Sequence, residues 1–207
     1  CMVLYSVGGH SVLIPNPRDL PSFVKAIKGH KFTGFVGLNT LFNALCHNEE
    51  FKKLDFSNLG NTASGGMALT SDVADLWKRV TGGSVAEGFG MTETSPVVSM
   101  NTQDDIMMGT VGRPVPRTEV RVIDDEGKVL GTDSSGELQV RGPQVMKGYW
   151  QRPEATAEVL SEDGWLSTGD MAVIQEDGRI RIVDRKKDMI IVSGFNVYPN
   201  EIEDEVS

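Results

Sequence analysis

Gly88-Phe89-Gly90-Met91-Thr92-Glu93-Thr94 follows the short apolar run Ser84-Val85-Ala86 and stops just before Ser95-Pro96. Glycine lets a backbone come close to an anion and turn its N–H groups toward it. Thr92 and Thr94 can each donate a hydroxyl hydrogen bond to a phosphate oxygen. Glu93 repels phosphate directly, but it can hold the Mg²⁺ that accompanies a nucleotide. The dinucleotide fingerprint G-x-G-x-x-G fails here, because Glu93 stands where its third glycine belongs. Pro96 also interrupts the helix that such a fingerprint opens. Alone, the heptapeptide reads equally well as a Gly/Thr surface turn.

Upstream, strand-like and helix-like stretches alternate. Ser11-Val12-Leu13-Ile14 is an apolar run stopped by Pro15, and it predicts a strand. Asp19 can cap a helix carrying Leu20, Phe23, Val24 and Ile27 at helical spacing. Residues 32–38 predict a strand, after which Asn39 caps a helix through Leu45; residues 59–64 predict another strand. Ser71-Asp72 starts a helix with Val73, Leu76, Trp77 and Val80 on one face, closed by Gly82-Gly83. This rhythm predicts an α/β part, a parallel or mixed sheet covered by helices. Ligands bind at the carboxyl ends of strands in such sheets, which is where the Gly88 stretch would lie. Gly65-Gly66 is a second candidate ligand loop, or a plain glycine turn between strand and helix.

The rhythm changes after about Asn101. Residues 118–123 and 136–141 alternate at period two, and residues 171–183 form a hairpin around Glu176-Asp177-Gly178. These stretches predict a small antiparallel, β-barrel-like subdomain, interrupted by a helix near Arg152-Pro153-Glu154. Thr168-Gly169-Asp170 sits just before the hairpin. An ionised aspartate fixed on a glycine turn can accept two ribose hydroxyl protons, although such a tripeptide is most often only a turn. Trp165 reads as core packing. Asp184-Arg185-Lys186-Lys187-Asp188 is a five-charge run between apolar strands, in most proteins a solvated connector. The expected organisation is 1–101 as α/β, 102–184 as β-rich, and 185–207 as a hinge with the start of a small α+β domain.

Three ordered motifs together carry a resemblance to a known family. Residues 87–94 resemble the Tyr-Gly-x-Thr-Glu signature of adenylate-forming enzymes, the group of acyl-CoA synthetases, firefly luciferases and peptide-synthetase adenylation domains; Phe89 replaces the usual tyrosine. Residues 164–170 resemble the family's Gly-Trp-x-x-Thr-Gly-Asp signature, and residues 184–188 resemble its interdomain hinge. Residues 142–150 and 192–203 are most similar to bacterial long-chain fatty acid–CoA ligases. The resemblance implies that Thr92 contacts the AMP phosphate and Glu93 meets Mg²⁺, with both catalytic. It implies that Gly65, Gly66, Gly88, Phe89 and Gly90 line the nucleotide and acyl pocket. Asp170 would bind the ribose, Arg185 the ribose or phosphate, and Lys187 would be the catalytic pivot. Gly194 would line the tunnel for the pantetheine arm of coenzyme A.

The implied activity is ATP-dependent activation of a fatty acid as acyl-AMP, followed by transfer to coenzyme A. Two parts of the family pattern are missing: the phosphate loop ending in Pro-Lys-Gly, and a late catalytic lysine. With Cys1 in an apolar run and an acidic helix start at the other end, this implies a piece of a longer ligase, inactive or nearly so alone. The rival readings are a non-catalytic nucleotide- or acyl-binding module, and a related ligase for another carboxylic acid.

Composition narrows the classes further. Lys+Arg 20 against Asp+Glu 29 gives net −9, which argues against a nucleic-acid footprint. Cys1 and Cys46 fit neither a disulfide framework nor a zinc pattern, so a reducing cytoplasm is the expected setting. A lipid-soluble substrate is compatible with peripheral contact at the inner face of the membrane. His10, His30 and His47 are scattered and read as structural.

Overall fold

The computed structural model describes residues 5–188, the backbone of 190–192 and 195–197, and Pro199. Asp19 accepts a hydrogen bond from Ser22 N at 3.2 Å and so caps helix α1 (Leu20–Ile27), with proline in its first turn where the missing N–H costs nothing. Phe23, Val24 and Ile27 form its buried face. Strand β1 (Gly34–Gly37) pairs in parallel with β2 (Asn61–Ser64), Gly34 opposite Asn61 and Gly37 opposite Ser64. Between them run α2 (Asn39–Cys46) and the short α3 (Glu49–Lys52), which Asn48 caps through bonds from Glu50 N and Phe51 N. Helix α4 (Ser71–Thr81) follows β2, buries Val73 and Trp77, and ends at Gly82, whose N–H bonds Lys78 O.

Two details of this part differ from the sequence expectation. Residues 11–14 form no strand; Leu13 is 71% exposed, and an apolar run without a partner strand gains no ladder bonds. Asn39 is the first residue of α2 rather than its cap, and its Oδ1 instead accepts Thr70 N at 3.2 Å.

The helices meet around Trp77, which is fully buried with Phe42, Leu45 and Phe51. Its indole stands edge-on to Phe42 at 4.7 Å, with Phe35 at 5.3 Å and Phe51 at 5.7 Å. Edge-to-face arrangements of this kind favour one packing over others of equal area.

One compact unit ends at Val85 and a second begins at Ala86. In the second, β3 (Val85–Gly90), β4 (Val97–Met100) and β5 (Arg113–Pro114) are antiparallel neighbours. A separate sheet runs in the order β6 (Glu119–Ile123), β7 (Ser135–Arg141), β8 (Leu166–Ile174) and β9 (Ile180–Arg185), every pair antiparallel. Val122, Leu138, Val140, Ala172 and Ile180 fill its core with Val98. The mixed α/β architecture is the one expected, but this sheet is open. Among the described residues β6 and β9 are its edges and do not pair, so it is not a closed barrel. Helix α5 (Pro153–Val159) stands between β7 and β8, and β10 (Ile190–Val192) pairs with β11 (Phe195–Val197). No described helix is long and apolar enough to cross a membrane.

Truncating Trp77→Ala removes the centre of the first core and is expected to cost about 3–5 kcal/mol. Urea unfolding of the wild-type and variant chains checks this, and a loss under about 1 kcal/mol contradicts the packing described.

Candidate active site

Gly88, Phe89 and Gly90 lie inside β3 rather than in a loop after it. A side chain at Gly90 would run into the Pro96 carbonyl, so this glycine serves the close return of the chain into β4. Phe89 packs on the core of the second unit. The chain then makes a single 3₁₀ turn, Thr92–Thr94, and Ser95 takes a left-handed conformation that ends it. Met91 N donates to Pro96 O at 2.9 Å and ties the two ends of the turn together.

The two threonines face opposite ways. Thr94 is fully buried, and its hydroxyl lies 3.0 Å from Met91 O and 2.6 Å from Pro96 O. It also accepts Met91 N at 3.2 Å. The expectation that Thr94 could serve phosphate is therefore corrected: the hydroxyl holds the turn shut. Thr92 is exposed and keeps its side chain on the surface.

Glu93 is gripped twice by the loop after β7. Its carbonyl accepts Met146 N at 2.8 Å, and its Oε1 accepts the Tyr149 phenol at 2.8 Å. That hydrogen bond, the burial it brings and the carboxylate's charge hold the Tyr149 phenol above its ordinary pKa. The loop is fixed in turn by Gln144, whose side-chain amide donates to Thr118 Oγ1 at 2.7 Å and Val97 O at 3.3 Å.

Asp170 lies within β8, not in a turn before it, directly opposite Arg185 in the β8–β9 ladder. Gly169 makes this possible: at φ +74 it kinks the strand, and its carbonyl accepts Lys186 N at 2.9 Å. Thr168 Oγ1 donates to Leu138 O at 2.9 Å and accepts Asp170 N at 3.1 Å. Burial raises the Asp170 pKa; Arg185 counters this, while Glu137 adds to it. Arg185 Nε stands 3.8 Å from Asp170 Oδ1 and is largely exposed, so it offsets the desolvation only partly.

The hinge run is split by its contacts. Lys186 reaches back to Glu137 Oε2 at 2.9 Å and Asp125 Oδ1 at 3.1 Å, whereas Lys187 is exposed. Gly65 and Gly66 follow β2 in the first unit, with Gly66 at φ +83. Gly194 lies outside the described residues.

The structure thus brings Asp170 to Arg185, and Glu93 to Tyr149. Among the described residues no hydrogen bond or ion pair joins Thr92 or Glu93 to Asp170 or Arg185. Tyr149 is the site contact for which sequence reasoning gave no role. Its sequence signal is its place in residues 142–150. A cleft of about 260 Å³ lies elsewhere in the second unit, lined in part by Asn101, Asp105, Arg113 and Arg179. Its charges are spent on ion pairs of Asp105 with Arg113 and Arg179.

Among the described residues no group of three metal-ligating side chains occurs. Mg²⁺ nevertheless fits, because it is commonly held by one or two carboxylates plus substrate phosphates. Glu93 is half-buried, and with Oε1 taken by Tyr149 its Oε2 remains for a cation.

The fold is shared with solved structures that hold an acyl-adenylate or ATP. A structure of the anthranilate CoA ligase AuaEII in complex with anthranoyl-AMP superimposes with a TM-score of 0.87 at 30% identity, over 95% of this chain and 38% of that one. ATP-bound MatB from Rhodopseudomonas palustris gives a TM-score of 0.87 at 34% identity, over 99% of this chain and 40% of that one. Residues 1–150 match the family described as AMP-binding enzyme, and the chain belongs to that family. The long-chain-fatty-acid–CoA ligase of Salmonella typhimurium is 55% identical over 207 residues, all of this chain and 37% of its own length. The chain therefore spans a little over a third of that relative.

The opposed threonines can be told apart by substitution. Thr94→Val should cost about 1–3 kcal/mol, the usual loss when buried partners go unsatisfied, and Thr92→Val should stay within about 0.5 kcal/mol of wild type. Thermal and urea unfolding of both variants checks the assignment.

Proposed function

We propose that these 207 residues are an internal fragment of an AMP-forming long-chain fatty acid–CoA ligase. The observation that carries this reading is the 55% identity, extending over the whole chain, to a relative of that name. The pairing of Asp170 with Arg185 across adjacent strands supports it. In this reading 1–101 is the α/β part of the large domain, 102–184 its β-rich subdomain, and 185–207 the hinge and the start of the small domain. ATP, Mg²⁺, coenzyme A and a fatty acid are the ligands of the whole enzyme. It works in the cytoplasm, with peripheral contact at the inner membrane face where its substrate partitions.

In the first half-reaction a carboxylate oxygen bonds to the α-phosphorus of ATP as the bond from that phosphorus to pyrophosphate breaks. The reactants are anions, so catalysis is mainly positioning and charge neutralisation. Mg²⁺ supplies charge neutralisation at the phosphates when bound. Thr92 donates its hydroxyl to a phosphate oxygen, and Glu93 offers Oε2 to the cation. Asp170 accepts the ribose hydroxyls, and Arg185 adds a cation beside the nucleoside. Gly65 and Gly66 are assigned to nucleotide or acyl contact in the first unit, and Gly88, Phe89 and Gly90 in the second. In the second half-reaction the thiol of coenzyme A attacks the acyl carbon and AMP leaves. Lys187 is the pivot of the rotation between these steps, and Gly194 leaves room for the pantetheine arm.

The test is a panel of carboxylic acids assayed with the full-length protein and ATP. Long-chain acids are expected to be preferred; preference for short, aromatic or amino acids favours a related ligase instead. A full-length protein that binds nucleotide but activates none of these acids favours a non-catalytic binding module, and activity that survives Asp170→Asn and Glu93→Gln together removes those two residues from the catalytic site.

A pH prediction follows from Asp170. Ionised carboxylate is the form that accepts both ribose hydroxyls, and burial raises its pKa above the ordinary 3.8. AMP affinity should therefore fall on acidification from a higher pH than an exposed aspartate would give. Titration calorimetry across pH checks this, with Asp170→Asn expected to flatten the profile.

A further inference from the structure

Tyr149 is held from both sides. Its N–H donates to Thr156 Oγ1 at 2.9 Å, and that hydroxyl bonds Arg152 O at 2.8 Å in the first turn of α5. Its phenol donates to Glu93 Oε1 at 2.8 Å. Glu93 sits on a three-residue 3₁₀ turn, so little regular structure supports its side chain. Its backbone is fixed by Met146 N, three residues before the tyrosine. The loop between β7 and α5 therefore holds Glu93 at both its carbonyl and one carboxylate oxygen.

A glutamate carries three rotatable side-chain bonds, and ordering a side chain of this kind costs entropy. A partner that fixes one oxygen beforehand removes part of that cost from the binding step, and partners behind a metal ligand tune affinity in this way. The bond from a neutral phenol leaves the carboxylate its charge and leaves Oε2 open.

We propose that Tyr149 is a positioning residue for Glu93: it presets the carboxylate so that Oε2 meets the divalent cation arriving with the nucleotide. This rests on the reading of Glu93 as a Mg²⁺ ligand given above. Tyr149 touches neither nucleotide nor metal in this scheme and acts through Glu93 alone.

The experiment is calorimetric binding of a non-hydrolysable ATP analogue to the full-length protein over a series of Mg²⁺ concentrations. Wild type, Tyr149→Phe and Glu93→Gln are compared, with thermal unfolding of each in parallel. Tyr149 is 37% exposed, so loss of its hydroxyl alone should leave the fold intact. The expected result is that Tyr149→Phe needs about tenfold more Mg²⁺ to reach wild-type analogue affinity. Glu93→Gln should lose the Mg²⁺-dependent gain. If Tyr149→Phe superimposes on wild type while Glu93→Gln loses the gain, the positioning role is overturned and the Glu93 reading stands. If Glu93→Gln keeps the gain, the Glu93 reading falls and the inference falls with it. A Tyr149→Phe affinity that drops equally at every Mg²⁺ concentration also overturns the inference, because it marks a general structural effect.

Discussion

The register between β7 and β8 is the constraint on which the candidate site depends. Gln139 lies opposite Ser167 and donates to its hydroxyl at 2.9 Å, while Thr168 donates to Leu138 O. Those contacts set where Gly169 kinks the strand and hence where Asp170 emerges. A slip of one residue would exchange the two faces of β8, burying Asp170 differently and exposing part of the core. On the other side of β7, Gln139 also accepts Arg121 Nε at 2.7 Å. One strand thereby aligns its neighbours on both edges, with Leu138 and Val140 fully buried.

The same strand reaches both halves of the proposed nucleotide site. Glu137 holds Lys186 and contributes to the raised pKa of Asp170, while the loop leaving Arg141 grips Glu93. The division of labour in the Thr92–Thr94 turn has a comparable logic. A turn of three residues has few backbone bonds of its own, so one hydroxyl is spent internally to close it. The neighbouring threonine is left facing outward.

Legibility in the sequence followed how local the determining forces were. Helix α4 and the β8–β9 hairpin are readable because glycines and periodicity act within a few residues. The apolar run at 11–14 misled because a strand requires a partner that no local pattern specifies. Thr92 and Thr94 are the same residue type two positions apart, and only the return of the chain at Pro96 decides which one is buried. Asp170 stands out through its motif, but its place inside β8 depends on a glycine kink that reads as an ordinary turn. Tyr149 lies far along the chain from Glu93, so their hydrogen bond has no signature in either segment.

The three tryptophans occupy three unlike settings. Trp77 is sealed among phenylalanines in the first unit, and Trp165 has the guanidiniums of Arg121 and Arg141 over its ring at 4.1 Å and 4.6 Å. Trp150 is 87% exposed beside Tyr149. Their emission should separate by colour and by access to dissolved quenchers, with Trp150 reddest and most readily quenched. The chain thus carries its own optical labels: one for the helical core, one for the antiparallel sheet, and one on the loop that grips the glutamate.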